Sequence, residues 1–405
     1  MREPLVIVGA SVRAAAQSAV RAGFAPHAAD LFGDVDLGQT CPTTHVAEYP
    51  QGLVAACAAF PAGPWLYTGA LENQPRLVDR LAAERRLLGN SGSVLGQVRD
   101  PFLVAKALDE AGLPSPRIAK FGAPISTALS NEASQLAWLR KPISSAGGAR
   151  ITVWNHPEPG SQTELAVPLR QRAASAPDAH WYLQELIAGM CASAVYVAAG
   201  SRARFLGATG QLVGESWTGA SPFGYCGSIG PLALSAEQHA NFVAIGNCLA
   251  ERFELCGLFG VDAIINDRGV WPVEVNPRYT ASIEVLERSL GLSAIGLHVA
   301  ACRNLLLPVG IYSESGTANI FCGKAVLYAE RALAMPAGLV ERMLATNAQH
   351  SWPQYADIPV RESRIESLWP IATVLASGKN RADVLQQLKT LARDLQKSLD
   401  DLPVC

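Results

Sequence analysis

Net charge is almost absent from this sequence. Its 33 Lys and Arg offset 35 Asp and Glu, leaving −2 at pH 7 over 405 residues. No basic stripe or block stands out, so nucleic-acid binding is not suggested. No C-x-x-C pair occurs among Cys41, Cys57, Cys191, Cys226, Cys248, Cys256, Cys302, Cys322 and Cys405. A scattered, odd set argues against a disulfide framework or zinc ribbon and fits structural thiols in a reducing cytoplasm. No apolar run is long enough to span a membrane. The short run Leu5–Val8 ends at Gly9, so a strand is expected there and not a signal peptide. Charged residues are only 17% against 49% hydrophobic, which excludes disorder and leaves room for two or three domains with a large core.

What the chain does have is concentrated in one stretch. Gly260-Val261-Asp262-Ala263-Ile264-Ile265 is followed by Trp271-Pro272-Val273-Glu274-Val275-Asn276-Pro277-Arg278. The two runs read as strands joined by a tight turn at Asn266-Asp267-Arg268-Gly269. Side chains alternate along a strand, so Glu274 and Asn276 share one face and Val273 and Val275 the other. With Asp262 near the start of the first strand, three oxygen-bearing side chains can converge. Such hard donors suit Mg²⁺, which keeps water and takes phosphate oxygens for the rest of its shell. A lone carboxylate near a hairpin is usually just solvated. Glu274, however, lies among Val270, Trp271, Val273 and Val275, where an unpartnered charge is costly. Arg278, two residues past Asn276, would meet an anion beside the metal.

The rest of the chain alternates strands and helices. Leu5–Val8, an Ala-rich helix stopped by Gly23, and Pro26–Asp30 form a βαβ opening. Gly9-x-Ser11-x-x-Ala14 lacks two glycines of the dinucleotide fingerprint, which argues against an NAD(P)-dependent oxidoreductase. Trp65–Gly69 reads as a later strand of that sheet, with Glu72 and Asn73 behind it. A helix from Asp100 stops at Gly112-Leu113-Pro114. Trp138–Pro142 reads as a strand that carries Lys141 near its end, followed by the small-residue loop Ser144-Ser145-Ala146-Gly147-Gly148 and the strand Ile151–Trp154. Small residues let backbone N–H groups close over an anion, although a Gly-Gly pair alone reads equally as a flexible hairpin tip. Gln184-Glu185-Leu186 runs towards Gly189 and can offer main-chain groups to an adenine edge; a plain strand and turn is an equal account. Glu215–Pro231, rich in Gly, Ser and aromatics, is expected as a long functional loop. Helices are expected at Ala236–Phe253 and Ala281–Leu290. Beyond Pro308 come a β-like run Ala318–Ala329, a Pro- and charge-rich connection to Glu366, a strand Trp369–Leu375, a turn at Ser377-Gly378 and a helix Ala382–Leu399.

Four elements thus occur in one order: the strand Lys with its Gly loop, Gln184-Glu185-Leu186-Ile187-x-Gly189, an Asp opening a hairpin, and Glu274-x-Asn276-x-Arg278 closing it. Over roughly residues 1–300 this resembles the ATP-grasp superfamily of carboxylate–amine and carboxylate–thiol ligases. The resemblance implies an α/β protein with a Rossmann-like domain before an ATP-grasp fold of two α+β subdomains. It implies ATP and Mg²⁺, with a carboxylate activated as an acyl phosphate and then attacked by an amine. Lys141 would contact the α/β-phosphates and Ser144, Ser145, Gly147 and Gly148 would cover them. Gln184, Glu185 and Leu186 would frame adenine, Asp262, Glu274 and Asn276 would hold Mg²⁺, and Arg278 would stabilise the γ-phosphate and acyl phosphate.

Two positions depart from that pattern. A phosphate-binding Lys often follows the Asp at the start of the first helix; here the pair is Asp100-Pro101, leaving Arg99, Lys106 or Lys141 alone to serve. The position that often holds the ribose hydroxyls is Cys191. The expected division is 1–95 for the Rossmann-like domain, 96–310 for the ATP-grasp domain and 311–405 for a small C-terminal α+β domain. Gly323–Val326 and Pro370–Val374 resemble ATP-grasp ligases of one-carbon carrier biosynthesis, which join glutamate to an aminomethylfuran or pterin precursor. Partners are then a small carboxylate and an amine, with no nucleic acid or membrane, in a cytoplasmic homodimer. The alternative is an ATP-binding sensor or assembly protein that has lost its chemistry.

Overall fold

The computed structural model describes residues 2–121, 136–154, 181–308 and 320–400. Pro4–Gly9 (β1), Ala25–Asp30 (β2), Thr43–His45 (β3) and Trp65–Tyr67 (β4) form a parallel sheet in the order β3-β2-β1-β4. Leu5 to Val8 are fully buried, as a strand covered on both faces requires. Gly9 is small for packing: a Cβ there would lie 2.0 Å from Thr68 Oγ1. Asp30 accepts hydrogen bonds from the amides of Val12, Phe32 and Gly33 at 2.7–2.8 Å. The acid at the end of β2 therefore closes its own sheet's loops.

Ile118–Lys120 (β5), Trp138–Pro142 (β6), Thr152–Trp154 (β7) and Trp181–Glu185 (β8) make an antiparallel sheet in the order β5-β8-β6-β7. It sets the Lys141 and Gln184 strands side by side, with Lys141 opposite Tyr182 and Leu139 opposite Gln184.

Among the described residues the largest sheet has eight strands. Its members are Met190–Ala199 (β9), Arg202–Val213 (β10), Tyr225–Gly230 (β11), Gly257–Asn266 (β12), Gly269–Asn276 (β13), Phe321–Tyr328 (β14), Tyr355–Ala356 (β16) and Pro370–Gly378 (β18); Leu333–Ala334 (β15) and Arg364–Ile365 (β17) pair separately. The order is β13-β12-β9-β10-β11-β14-β18-β16. Alternation along β9 divides two cores. Val195 and Val197 join Leu5, Ala15, Ile283 and Leu286, whereas Ala194 and Tyr196 join Phe242, Ile245 and Phe259. Burying each such large side chain contributes about 1.5–3 kcal/mol. The helix Ala236–Phe253 on the second core begins with a capping box between Ser235 and Gln238 and ends at Glu254 in the left-handed region.

Three expectations are corrected. Glu215–Pro231 is not one long loop, because its last third is β11, with Cys226 and Ile229 in the core. The glycine that made it look like a loop is there for close approach: Gly227 has φ +154°, and a Cβ would sit 2.2 Å from the Lys324 carbonyl oxygen. Ser377 and Gly378 do not turn; they end β18, opposite Cys322 and Phe321. The charge-rich connection before Glu366 contains a helix, Ala337–Asn347, whose Leu339, Val340 and Met343 are buried. The strand pair β14 and β18 continues the eight-stranded sheet through β11, with Gly227 opposite Ala325. The boundary expected at 310 lies outside the described residues.

Candidate nucleotide and metal site

The hairpin β12–β13 places Asp262 directly opposite Glu274 and Gly260 opposite Asn276. Like charges facing each other on paired strands repel. Burial first, and then Glu274, push the Asp262 carboxyl up to about 6. Burial also works to raise Glu274, but Arg99 and Lys141 outweigh it and hold that carboxyl below its usual range. Asp262 is further fixed by Gln211 Nε2 at 2.9 Å and Asn276 Nδ2 at 3.1 Å.

Three cations close in on this pair. Arg99 Nη1 donates to Glu274 Oε1 at 2.7 Å and to the Val275 carbonyl at 3.0 Å. Its Nη2 reaches the Ser145 carbonyl at 3.0 Å, bridging the hairpin to the small-residue loop. Lys141, buried at the end of β6, donates to Gln184 Oε1 at 3.0 Å and the Val273 carbonyl at 3.2 Å. Arg278 Nη2 donates to Glu72 Oε1 at 2.6 Å and to Asn276 Oδ1 at 3.2 Å. The Nε atoms of Arg99 and Arg278, one oxygen of Glu72 and the Thr280 hydroxyl are buried with no hydrogen-bond partner among the described residues. Unmatched buried groups are uncommon and call for a ligand or water.

One cavity of ≈ 370 Å³ gathers most of the expected residues. Lys141, Gly147, Gly148, Gln184, Glu185, Leu186, Asp262, Glu274, Asn276 and Arg278 all line it, as does Cys191. Ser144 and Ser145 do not: the Ser144 carbonyl accepts from Arg150 Nη2, and the Ser145 carbonyl is held by Arg99 and Asn73. The glycine tip of that loop rests on the chain before β11. Tyr225 N donates to the Gly147 carbonyl at 3.0 Å, and a Cβ on Gly148 would lie 1.9 Å from the Phe223 carbonyl oxygen. The Glu185 carboxylate accepts from Arg117 N at 3.1 Å.

Of the two residues considered for the place of the missing lysine, Arg99 reaches the hairpin. Lys106 is 64% exposed and pairs with Glu110 on the same helix face. Asp100 caps that helix by accepting from Phe102 N and Leu103 N. Gln211 was not foreseen, because the strand that carries it, β10, has no motif of its own. Asn73 lay in a loop expected only to follow β4.

Asp262 and Glu274 with an amide oxygen on the same sheet face fit a hard divalent cation. Among the described residues no group of three His, Cys, Asp or Glu side chains could hold a metal by itself. The donor set therefore suits a cation that completes its shell with ligand and water oxygens. The cationic side chains around it suit a polyphosphate.

Comparison with known proteins agrees with this geometry. Residues 98–282 match the family model of an ATP-grasp domain. Biotin carboxylase from Campylobacter jejuni, solved as an ATP complex, superposes with a TM-score of 0.71 at 12% identity, covering 97% of this chain and 91% of that one. L-amino acid ligase from Bacillus licheniformis superposes with a TM-score of 0.66 at 13% identity, covering 98% and 97%. The chain therefore has the ATP-grasp fold. A curated relative, an uncharacterized protein of Methanocaldococcus jannaschii, is 26% identical over 179 residues, 44% of this chain and 40% of its own. The match thus spans about two fifths of that relative's length. No single helix among the described residues is long and apolar enough to cross a membrane.

Proposed function

We propose that this protein is an ATP- and Mg²⁺-dependent ligase that activates a carboxylate as an acyl phosphate and joins it to an amine. The observation that carries the reading is the single cavity on which Lys141, Gly147–Gly148, Gln184–Leu186, Asp262, Glu274, Asn276 and Arg278 converge. Asp262, Glu274 and Asn276 would hold Mg²⁺, which would neutralise charge on the phosphates. Lys141 is a point charge for the α/β-phosphates, and Arg99 takes the place of the absent second lysine. Gln184–Leu186 borders the base. Arg278, whose Nε has no partner among the described residues, would reach the transferring phosphoryl group. A carboxylate oxygen attacks the γ-phosphorus and ADP leaves; the amine then attacks the acyl carbon and phosphate leaves. The protein's part is positioning and charge stabilisation.

A glutamate-type ligation in cofactor biosynthesis is the finer reading, supported by the resemblance of Gly323–Val326 and Pro370–Val374. We place the enzyme in the cytoplasm as a homodimer, divided at about 95 and 310. The test is release of ADP and phosphate with pooled acids and amines. Release that needs both classes supports a ligase. Tight ATP binding with no turnover supports a sensor instead, a reading favoured by the internal partners that Asp262 and Glu274 already have.

A further inference from the structure

A second cavity, of ≈ 560 Å³, lies between the first sheet and the C-terminal strands. Its walls include Phe32, Asp34, Lys324, Tyr328, Asp357 and Trp369, and it meets the nucleotide cavity at Ala281, which lines both. Phe32 and Trp369 stand edge to face, centroids 6.1 Å apart, and Trp369 is 48% exposed.

The charge around this cavity is unbalanced. Arg13 is bound by Glu284 at 2.5 and 3.0 Å and by Asp357 at 2.8 Å, and Lys324 by Glu284 at 2.8 Å. Asp36 lies 3.7 Å from Arg13, and Asp30 is a further acid near Asp34. With Arg288, which also acts on Glu284, three cations thus face five acids. Arg364, on the wall, is paired with Glu366 at 2.8 Å. Asp34 is the acid left over. It is 4% exposed, occupies the N-cap position of the short helix Val35–Thr40 without capping it, and its Oδ2 has no hydrogen-bond partner among the described residues. Burial, followed by Asp357, Asp30 and Asp36, raises its carboxyl well above the usual range. A positive group in the cavity would relieve that repulsion.

We propose that this cavity is the second-substrate subsite and that it takes an organic cation, an amine whose charged group docks on Asp34 and whose flat apolar body lies against Phe32 and Trp369. An aromatic wall above a carboxylate favours an aryl-alkylamine over an acid of the same shape. The proposal names the amine for the ligase reading and rests on it for the word substrate, but the binding itself is independent of ATP cleavage.

The probes are benzylamine, 2-phenylethylamine and 3-phenylpropylamine, with 3-phenylpropionate as the anionic control, titrated into the full chain by calorimetry without nucleotide. At least one amine should bind, with the acid at least about tenfold weaker. Asp34→Asn should weaken the amine about tenfold to a hundredfold, the range for a hydrogen bond to a charged group, and Trp369→Ala several-fold. Both variants should keep their ATP affinity. Binding of no amine, equal binding of the acid, or amine affinity unmoved by either variant overturns the proposal. Should Asp34→Asn lose ATP affinity as well, the exposed Trp369→Ala decides: weaker amine binding supports the subsite, and unchanged binding refutes it. If Asp34-dependent amine binding is found but no acid stimulates ADP release, the subsite stands and the ligase reading fails. If ligation proceeds and Asp34→Asn leaves the KM for the amine unchanged, the reverse holds.

Discussion

Two buried charge clusters flank Ala281, and they are built differently. At the hairpin, Arg99, Lys141 and Arg278 face Asp262, Glu274 and Glu72, three cations against three acids. At the junction with the C-terminal strands, Arg13, Lys324 and Arg288 face a larger set of carboxyls. The balanced cluster opens on a cavity lined by a glycine loop and suits a metal-bound polyphosphate. The acid-rich cluster opens on an aromatic cavity and suits a cation. Buried charge seldom adds stability unless every group is paired, so the unpaired members mark where ligands are expected in each case.

The largest expected effect falls on the junction. Glu284 holds both Arg13 and Lys324, so Glu284→Ala leaves two buried cations short of a partner. We expect a loss of about 3–5 kcal/mol in urea unfolding. A loss below about 1 kcal/mol would show that the junction is no structural clamp and would blur the contrast.

At the hairpin the effect should appear in rate. Arg278→Lys keeps the charge but not the planar fork, and kcat should fall on the order of 10²-fold while ATP affinity moves little. Steady-state ADP release and equilibrium ATP binding on the same variant check this. Affinity that collapses with normal residual kcat would make Arg278 a nucleotide anchor only. Lys141→Ala should show the opposite split, weakening ATP by about 1.5–3 kcal/mol in calorimetry. Unchanged affinity there would remove Lys141 from the phosphate site.

The smallest expected effect is the pH response of the junction. Burial raises Asp30 to about 6 against the three backbone amides it accepts. Its folded value lies above its unfolded one, so its favourable contribution is complete below about pH 4 and is lost as pH rises through 6. Asp30→Asn does not ionise. Its stability relative to the parent should therefore improve between pH 4 and 7, by on the order of 2 kcal/mol at most. A difference that stays flat or narrows would mean that Asp30 ionises freely in the folded protein.

The two clusters were also unequally legible. Glu274 and Asn276 lie on one strand, so period-2 alternation alone puts them on one face, Arg278 follows two residues past the strand's end, and Asp262 follows from the turn. The junction unites residues far apart in the chain: Arg13 meets Glu284 across 271 positions and Asp357 across 344. No local pattern encodes such a meeting. Composition misled at β11 because glycine there permits close contact between strands, the same residue type that marks loops. The helix Ala337–Asn347 was missed because charged residues on its exposed face hid the buried Leu339, Val340 and Met343.

The central claim is that the hairpin cluster supports phosphoryl transfer to a carboxylate. The direct measurement uses the acid identified by ADP release, labelled with ¹⁸O in its carboxyl group, together with its amine, MgATP and the enzyme. Attack of the carboxylate on the γ-phosphorus followed by expulsion of phosphate carries one carboxyl oxygen into the inorganic phosphate. Mass spectrometry should find one ¹⁸O per phosphate released, and the signal should vanish in Glu274→Gln. Unlabelled phosphate, or label recovered in AMP, would contradict the account.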